Sequence, residues 1–147
     1  MNKWITGIVG VLAMTLTIAW GQHFQSNRAA PIEEKLGEVP KPMLGAFYSK
    51  NGCHAAYIIE NGDKELIVLD GKKGPVYDGI ENLVFSPDGK RVAYSAKKGQ
   101  NELMVLDGQE GPEYEGIIRG APTFHSDGTL EYLAVKERFL YRVKHRP

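Results

Sequence analysis

An internal repeat constrains this sequence more than any other feature. A shift of 37 residues aligns residues 49–80 with residues 86–117, and 16 of the 32 aligned positions are identical without a gap. The identical residues are mostly turn formers and large apolar residues. A third copy begins at residues 124–128, after a two-residue insertion, and then fades. A period of this length predicts stacked or radially arranged copies of one structural unit.

The contents of the repeat predict four β-strands per copy. In the second copy, residues 82–85 and 91–96 flank Asp88-Gly89, which is suited to a tight turn. Residues 102–107 are nearly all apolar, as expected of a strand that is buried on both faces. Residues 112–117 begin with proline and carry two glutamates, a pattern typical of a protected edge strand. Four antiparallel strands per copy predict an all-β fold of propeller blades.

The run Phe-Ser-Pro-Asp-Gly-Lys-Arg-Val-Ala-Tyr at residues 85–94 resembles the repeat of the TolB-type, WD-repeat-like β-propellers. The segment Val-Leu-Asp-Gly-x-x-Gly-Pro-x-Tyr-x-Gly-Ile, present in both full copies, resembles a subgroup found in bacterial exported proteins. The resemblance covers residues 44–144, with Lys50-Asn51 and His125-Ser126 departing from the pattern. It implies two full blades, at residues 43–80 and 81–117, and a partial third blade at residues 118–147. It also implies protein contacts, or a lid on a catalytic domain that this sequence does not contain.

The first 26 residues predict export from the cytoplasm. Lys3 is their only charge, and residues 5–20 form an uncharged apolar stretch. Small residues at Ala19 and Gly21 fit a signal peptide cleaved after Gly21. Alternatively, Trp4 and Trp20 lie at the two interfaces of an uncleaved membrane anchor. The expected location is therefore periplasmic or extracellular, with membrane contact only through residues 1–26.

Residues 27–42 contain three prolines and several charges, and they predict a linker. Within it, residues 31–39 are also suited to serve as one extra extended strand. The whole sequence has 18 basic and 18 acidic residues, which argues against nucleic-acid binding. A single cysteine excludes a disulfide framework within the chain.

No residue pattern predicts an enzyme, a cofactor or a metal site. The recurring Asp-Gly pairs are interpreted as structural turn residues, because aspartate binds the backbone of its own turn. They are Asp70-Gly71, Asp88-Gly89, Asp107-Gly108 and Asp127-Gly128. Each of the four histidines lacks a partner at metal-ligand spacing. Among them, His125 replaces Ser86 at a strand end, so it is the candidate for facing a ligand.

A propeller needs about four to eight blades to close, and this sequence supplies two and part of a third. We expect a homodimer that completes a six-bladed ring. The alternatives are closure of the third blade by residues 31–39, or a truncated remnant of a longer propeller protein. For function, we expect a non-enzymatic scaffold that binds a protein partner in the cell envelope. A propeller that binds a small molecule or a glycan is the alternative.

Overall fold

The computed structural model describes Glu33, Lys35 and residues 42–120 and 122–147. The predicted targeting segment, residues 1–26, lies outside these residues, as does most of the linker. Glu33 and Lys35 are exposed and belong to no strand. No helix found within the described residues is long and apolar enough to cross a membrane.

The described part of the chain is all-β, as predicted, and consists of three antiparallel four-stranded sheets. The described residues between Lys35 and Pro147 belong to one compact unit. Sheet 1 contains β1 (Met43–Tyr48), β2 (Ala55–Asn61), β3 (Lys64–Leu69) and β4 (Lys72–Tyr77), in that order. Sheet 2 repeats this order with β5 (Gly79–Phe85), β6 (Val92–Lys98), β7 (Asn101–Leu106) and β8 (Gln109–Tyr114).

Sheets 1 and 2 share their strand register as well as their order. Leu66 pairs with Val76 and Leu69 with Lys72, and 37 residues later Leu103 pairs with Glu113 and Leu106 with Gln109. Both registers shift at the same point, opposite a Gly-Pro pair. A Cβ atom on Gly111 would lie 3.0 Å from the Met104 carbonyl oxygen, so the close approach of the two strands accounts for glycine there.

Sheet 3 begins differently from the other two. Its strands are β9 (Gly116–Ile117), β10 (Thr123–Phe124), β11 (Leu130–Lys136) and β12 (Phe139–His145). The two short strands β9 and β10 pair in succession with β11, and β12 pairs with the other side of β11. Together β9 and β10 therefore hold the place that β5 holds in sheet 2, with the sequence insertion between them.

The sequence-based limits of β6 and β7 agree with the structure to within two residues. By contrast, β5 begins at Gly79 and β8 at Gln109, each three residues before the expected start. The expected strand at residues 112–117 is in fact divided. Its first part belongs to β8, which ends at Tyr114, and Gly116-Ile117 forms β9 of sheet 3. The Glu115 N–H donates to the Val135 carbonyl at 2.8 Å, so the backbone already pairs with sheet 3 at that residue.

Two apolar clusters hold the three sheets together. The larger contains Ile58 and Ile67 of sheet 1 with Tyr94 and Leu103 of sheet 2. The second joins sheets 2 and 3 through Ala93, Met104, Ile117, Leu130, Tyr132 and Ala134. A third cluster, Ile59, Leu66 and Val68, lies on the face of sheet 1 that points away from sheet 2. Apolar burial of this kind is the main stabilising contribution to a stacked fold.

Repeated polar contacts add to the apolar packing between sheets. The Glu65 carboxylate of sheet 1 accepts the Ile80 N–H of sheet 2 at 2.7 Å. In the same way, the Glu102 carboxylate of sheet 2 accepts the Ile117 N–H of sheet 3 at 2.7 Å. In sheets 1 and 2, a glutamate near the start of the third strand therefore holds the first strand of the next sheet. The corresponding position in sheet 3 is Leu140, at the start of β12.

Candidate functional site

The clearest departure from the repeat is the unpaired edge of β12. In sheets 1 and 2 the third strand is hydrogen-bonded on both sides, because β4 and β8 follow it. In the described part of the chain, β12 pairs only with β11. We call the free side of β12 the open edge. Phe139 and Leu140 at its start are 66% and 63% exposed, and Tyr141 is also exposed.

A tight turn determines which backbone groups reach the open edge. Glu137 and Arg138 connect β11 to β12 with φ values of 53° and 68°, the pattern of a type I′ hairpin turn. In such a two-residue turn, Lys136 and Phe139 form the hydrogen-bonded pair that closes the hairpin. Because hydrogen bonding alternates along an antiparallel pair, the N–H groups of Leu140, Arg142 and Lys144 point to the open edge.

The side of sheet 3 that faces away from sheet 2, which we call the outer face, is charged. In sheet 2 the cross-strand pair Ala93 and Leu106 packs toward sheet 3. The corresponding pair in sheet 3 is Glu131 and Lys144. Likewise, Arg142 takes the place of the buried Met104. The positions that are apolar between sheets 2 and 3 are thus charged on the outer face, as expected of a sheet face in contact with solvent.

Glu131 lies at the centre of an ion cluster on the outer face. Its carboxylate is 3.0 Å from Lys144 Nζ, 3.3 Å from Arg142 Nε and 3.2 Å from His125 Nε2. The hydrogen bond from Lys144 is the main cause that lowers the pKa of Glu131, and His125 and Arg142 contribute in the same direction. One carboxylate faces two permanent cations and a histidine, so the cluster carries excess positive charge.

The candidate ligand-facing residue, His125, belongs to this cluster. Its N–H donates to the Thr129 carbonyl at 2.9 Å, which closes the turn before β11. The side chain is about half exposed and contacts Glu131. His125 therefore lies beside the outer face, where an anionic group of a partner would meet Arg142 and Lys144 as well.

The Asp-Gly pairs occupy four separate turns and do not form a common site. Asp70-Gly71 and Asp107-Gly108 connect the third and fourth strands of sheets 1 and 2, and all four residues have positive φ. The Asp107 carboxylate accepts the Val92 N–H at 2.9 Å and is 2.8 Å from Arg91 Nε. Asp70 makes the equivalent contacts, with the Ala55 N–H at 2.9 Å and His54 Nδ1 at 2.7 Å.

The other two pairs lie in the turns that connect the first and second strands, Asp88-Gly89 between β5 and β6 and Asp127-Gly128 between β10 and β11. Asp88, followed by Gly89, accepts the Ser86 hydroxyl at 2.6 Å and the Lys90 N–H at 3.1 Å. The Ser86 hydrogen bond is the main cause that lowers the pKa of Asp88. Asp127, followed by Gly128, accepts the Thr129 N–H at 2.9 Å, and this hydrogen bond lowers its pKa.

Two grooves repeat at the sheet junctions. The first, of about 300 Å³, is lined by Ile67, Leu69, Asp70 and Gly74 together with Tyr94. The second, of about 200 Å³, contains the corresponding residues Met104, Leu106, Asp107 and Gly111, together with His145. Among the described residues, no group of three or more His, Cys, Asp or Glu side chains is arranged to hold a metal ion. Cys53 is exposed as a free thiol.

Arg142 and Lys144 belong to a basic segment, residues 136–146, whose alternation with apolar residues predicts either a polyanion-binding patch or a final half-buried strand with a solvated face. The structure has the strand, β12.

Sequence reasoning missed their partner Glu131 because the third copy loses its register. The turn that spans Ser86 to Arg91 in the second copy spans only His125 to Thr129 in the third, one residue fewer. After this deletion is allowed for, Tyr132 aligns with Tyr94 and Glu131 with Ala93. The sequence therefore shows that charged residues replace apolar ones in the third copy, but only when the alignment contains a one-residue gap at the turn.

The chain matches no family model, no curated protein and no solved structure.

Proposed function

We propose that the chain is an exported, non-enzymatic interaction module of the β-propeller type, which binds a protein partner in the cell envelope through sheet 3. The observation that carries this proposal is the open edge of β12, where Phe139, Leu140 and Tyr141 are exposed together. Large aromatic and apolar side chains on a surface are typical of protein contact sites. An unpaired strand edge also offers backbone groups to a partner.

The propeller part of the proposal draws on the repeat. Sheets 1 and 2 have the same strand order and register, and each is linked to the next by a glutamate at the same position. The export part draws on residues 1–26, whose apolar run and small residues fit a signal peptide or an anchor. A fusion to a reporter that is active only outside the cytoplasm tests it. Export predicts an active reporter, and an inactive fusion contradicts it.

Site-specific photo-cross-linking tests the interaction. A photoreactive amino acid replaces Phe139 at the open edge in the cell that makes the protein. A control variant carries it at Tyr48, which is 81% exposed in sheet 1. We expect one adduct of defined mass from position 139, identified as the same envelope protein in repeated experiments. Equal adducts from both positions, or none from position 139, would contradict the proposal.

The expected homodimer with a six-bladed ring stays a prediction, and the outer face weighs against it. Such a ring places sheet 3 of one chain against sheet 1 of the other. Glu131, Arg142 and Lys144 would then be buried, and burial of charges is costly without complete pairing. The solution mass of the purified chain by light scattering tests the ring. A dimer supports it, whereas a monomer contradicts it, and soluble aggregate favours the truncated remnant.

A small-molecule or glycan ligand is the second candidate function, and the repeated grooves favour it. Ligand pockets combine apolar walls with a few polar groups. The larger groove provides both, with Ile67 and Tyr94 beside Asp70 and Lys73. Saturation-transfer NMR with a mixture of glycans and small metabolites tests this function. Transfer that is lost in a Tyr94→Ala variant of retained fold supports it, and the absence of transfer contradicts it.

A further inference from the structure

We propose that the open edge of β12 binds an extended, acidic segment of a partner protein as an added fourth strand of sheet 3. The inference rests on the proposed function, because it specifies the chemistry of the partner. Addition of a strand to a sheet edge derives affinity from backbone hydrogen bonds and specificity from side chains on either side. The open edge supplies both kinds of contact.

The backbone of the open edge has the geometry that pairing with a further strand requires. The N–H groups of Leu140, Arg142 and Lys144 point away from β11, as the turn geometry requires. The same positions of sheet 2 are Glu102, Met104 and Leu106, at the edge of β7 that pairs with β8. Sheet 2 therefore shows the geometry that a fourth strand on β12 would adopt.

The charge around the open edge selects an acidic segment. Arg142 and Lys144 lie on the outer face, and Glu131 is the only carboxylate that the described residues place with them. Lys136 and Arg138 flank Glu137 at the hairpin turn, and Arg146 follows β12, so basic residues outnumber acidic ones along the open edge. Opposite charges on neighbouring strands stabilise a sheet, and like charges destabilise it.

Sheet 2 indicates where the acidic side chains of the added strand would lie. Lys98 Nζ is 2.9 Å from the Glu110 carboxylate of β8. Lys136 is the counterpart of Lys98, because each stands at the end of the strand before the hairpin turn. In the described part of the chain, Lys136 has no carboxylate partner of this kind. A glutamate at the position of Glu110 in an added strand would supply one.

A second copy of this chain fits the open edge less well than an acidic segment does. Two β12 strands paired edge to edge would bring the cations of one copy against those of the other. Residues 31–39 of the chain contain three glutamates and one lysine, so they are acidic enough to compete. Both occupants are distinguished from a partner segment by the experiments that follow.

Two peptides from the chain itself provide matched probes. Residues 107–116, from the β8 region, contain four acidic residues and no basic one. Residues 70–79, from the β4 region, contain two of each, with the same Asp-Gly, Gly-Pro and Tyr positions. Fluorescence anisotropy measures binding of each labelled peptide to the full chain in mild detergent. We expect saturable binding of the acidic peptide and at least about tenfold weaker binding of the neutral one. Equal affinities, or no binding of the acidic peptide, would overturn the proposal.

Methylation of peptide amides tests strand addition without any change in the protein. In sheet 2, Gln109 and Tyr114 occupy hydrogen-bonded positions opposite Leu106 and Glu102. A peptide methylated on these two amides should lose binding, whereas one methylated on the amides of Glu110 and Glu113 should retain it. Equal loss from both methylated peptides would overturn strand addition as the binding mode.

Charge reversal in the protein tests the selectivity for acidic segments. An Arg142→Glu, Lys144→Glu double variant should weaken binding of the acidic peptide at least about tenfold. The control variant Arg119→Glu reverses an exposed cation that pairs with Glu81, away from the open edge, and should bind normally. Circular dichroism confirms that both variants fold. Equal affinity of the double variant and the control would overturn the proposal. If the double variant does not fold, the comparison of the acidic and neutral peptides on the parent chain decides the question of charge selectivity.

The remaining outcomes separate this inference from the proposed function. If cross-linking at position 139 captures one envelope protein but the acidic peptide does not bind, this inference falls and the proposed function stands. If both experiments fail, the proposed function and this inference are both rejected. A peptide of residues 31–42 is added as a competitor. If it displaces the labelled acidic peptide at a lower concentration than the unlabelled acidic peptide does, the occupant of the open edge is the chain's own linker, and the proposed partner segment is rejected. A dimer that dissociates when the acidic peptide is added would assign the edge to a second copy.

Discussion

Replacement of Leu103 by alanine tests whether packing between sheets 1 and 2 stabilises the fold. Leu103 is 1% exposed and lies in the larger apolar cluster, between β6 and β8 within its own sheet. The substitution removes three carbon groups, which corresponds to about 2.4 kcal/mol of lost transfer free energy at about 0.8 kcal/mol each. Because paired strands on both sides limit collapse, the cavity adds to this loss. We expect unfolding to become easier by about 3–4 kcal/mol in total.

The control is the same substitution at Leu140, which is 63% exposed on β12. Leu140→Ala should change the free energy of unfolding by less than about 0.5 kcal/mol. Urea unfolding followed by far-ultraviolet circular dichroism measures both variants, and the slope should stay unchanged if unfolding is two-state. If the two variants unfold within about 0.5 kcal/mol of each other, the stacked core described here is refuted.

Three further predictions concern polar groups. Glu102→Ala leaves the buried Ile117 N–H without its acceptor and should lower the free energy of unfolding by about 1–3 kcal/mol in urea titrations. An unchanged free energy of unfolding would show that this link between sheets 2 and 3 does not stabilise the fold. Tyr132→Phe removes the hydroxyl contact with His145 and should lower it by about 1 kcal/mol in the same assay, with retention of full stability as the contradicting outcome. The hydrogen bond from Lys64 lowers the pKa of Asp78 below its ordinary value of 3.8. The ionised Asp78 therefore stabilises the fold fully above about pH 3.8, and this stabilisation is lost as the pH falls through the lowered pKa. Thermal melts between about pH 7 and pH 2 should therefore show decreasing stability at the acid end, with a weaker dependence in Asp78→Asn than in the parent chain.

The repeat made most of the fold predictable. Turn residues and apolar residues recur at fixed distances, and these residues dictate where strands start, end and face. The strand at residues 102–107, for example, was expected to be buried on both faces, and Leu103 and Met104 pack into the two different clusters. The passage from β8 to β9 was not predictable in the same way. It depends on pairing with β11, which is distant in sequence.

The candidate site was only partly predictable. His125 was identified from its replacement of Ser86, and the missing fourth strand of the third copy was visible in the sequence. The charged outer face depends on which residues are opposite each other across β11 and β12, and a shortened turn conceals that register. The links through Glu65 and Glu102 join side chains to backbone groups, so residue types alone do not reveal them.

Amide hydrogen exchange of β12 tests the central claim most directly. The account predicts that the N–H groups of Leu140, Arg142 and Lys144 exchange rapidly in the full chain alone, whereas those of Tyr141 and Val143, which pair with β11, are protected. Addition of the acidic peptide of residues 107–116 should then protect the first three. Strong protection of all five groups in the chain alone would mean that the edge of β12 is already covered and would contradict the account.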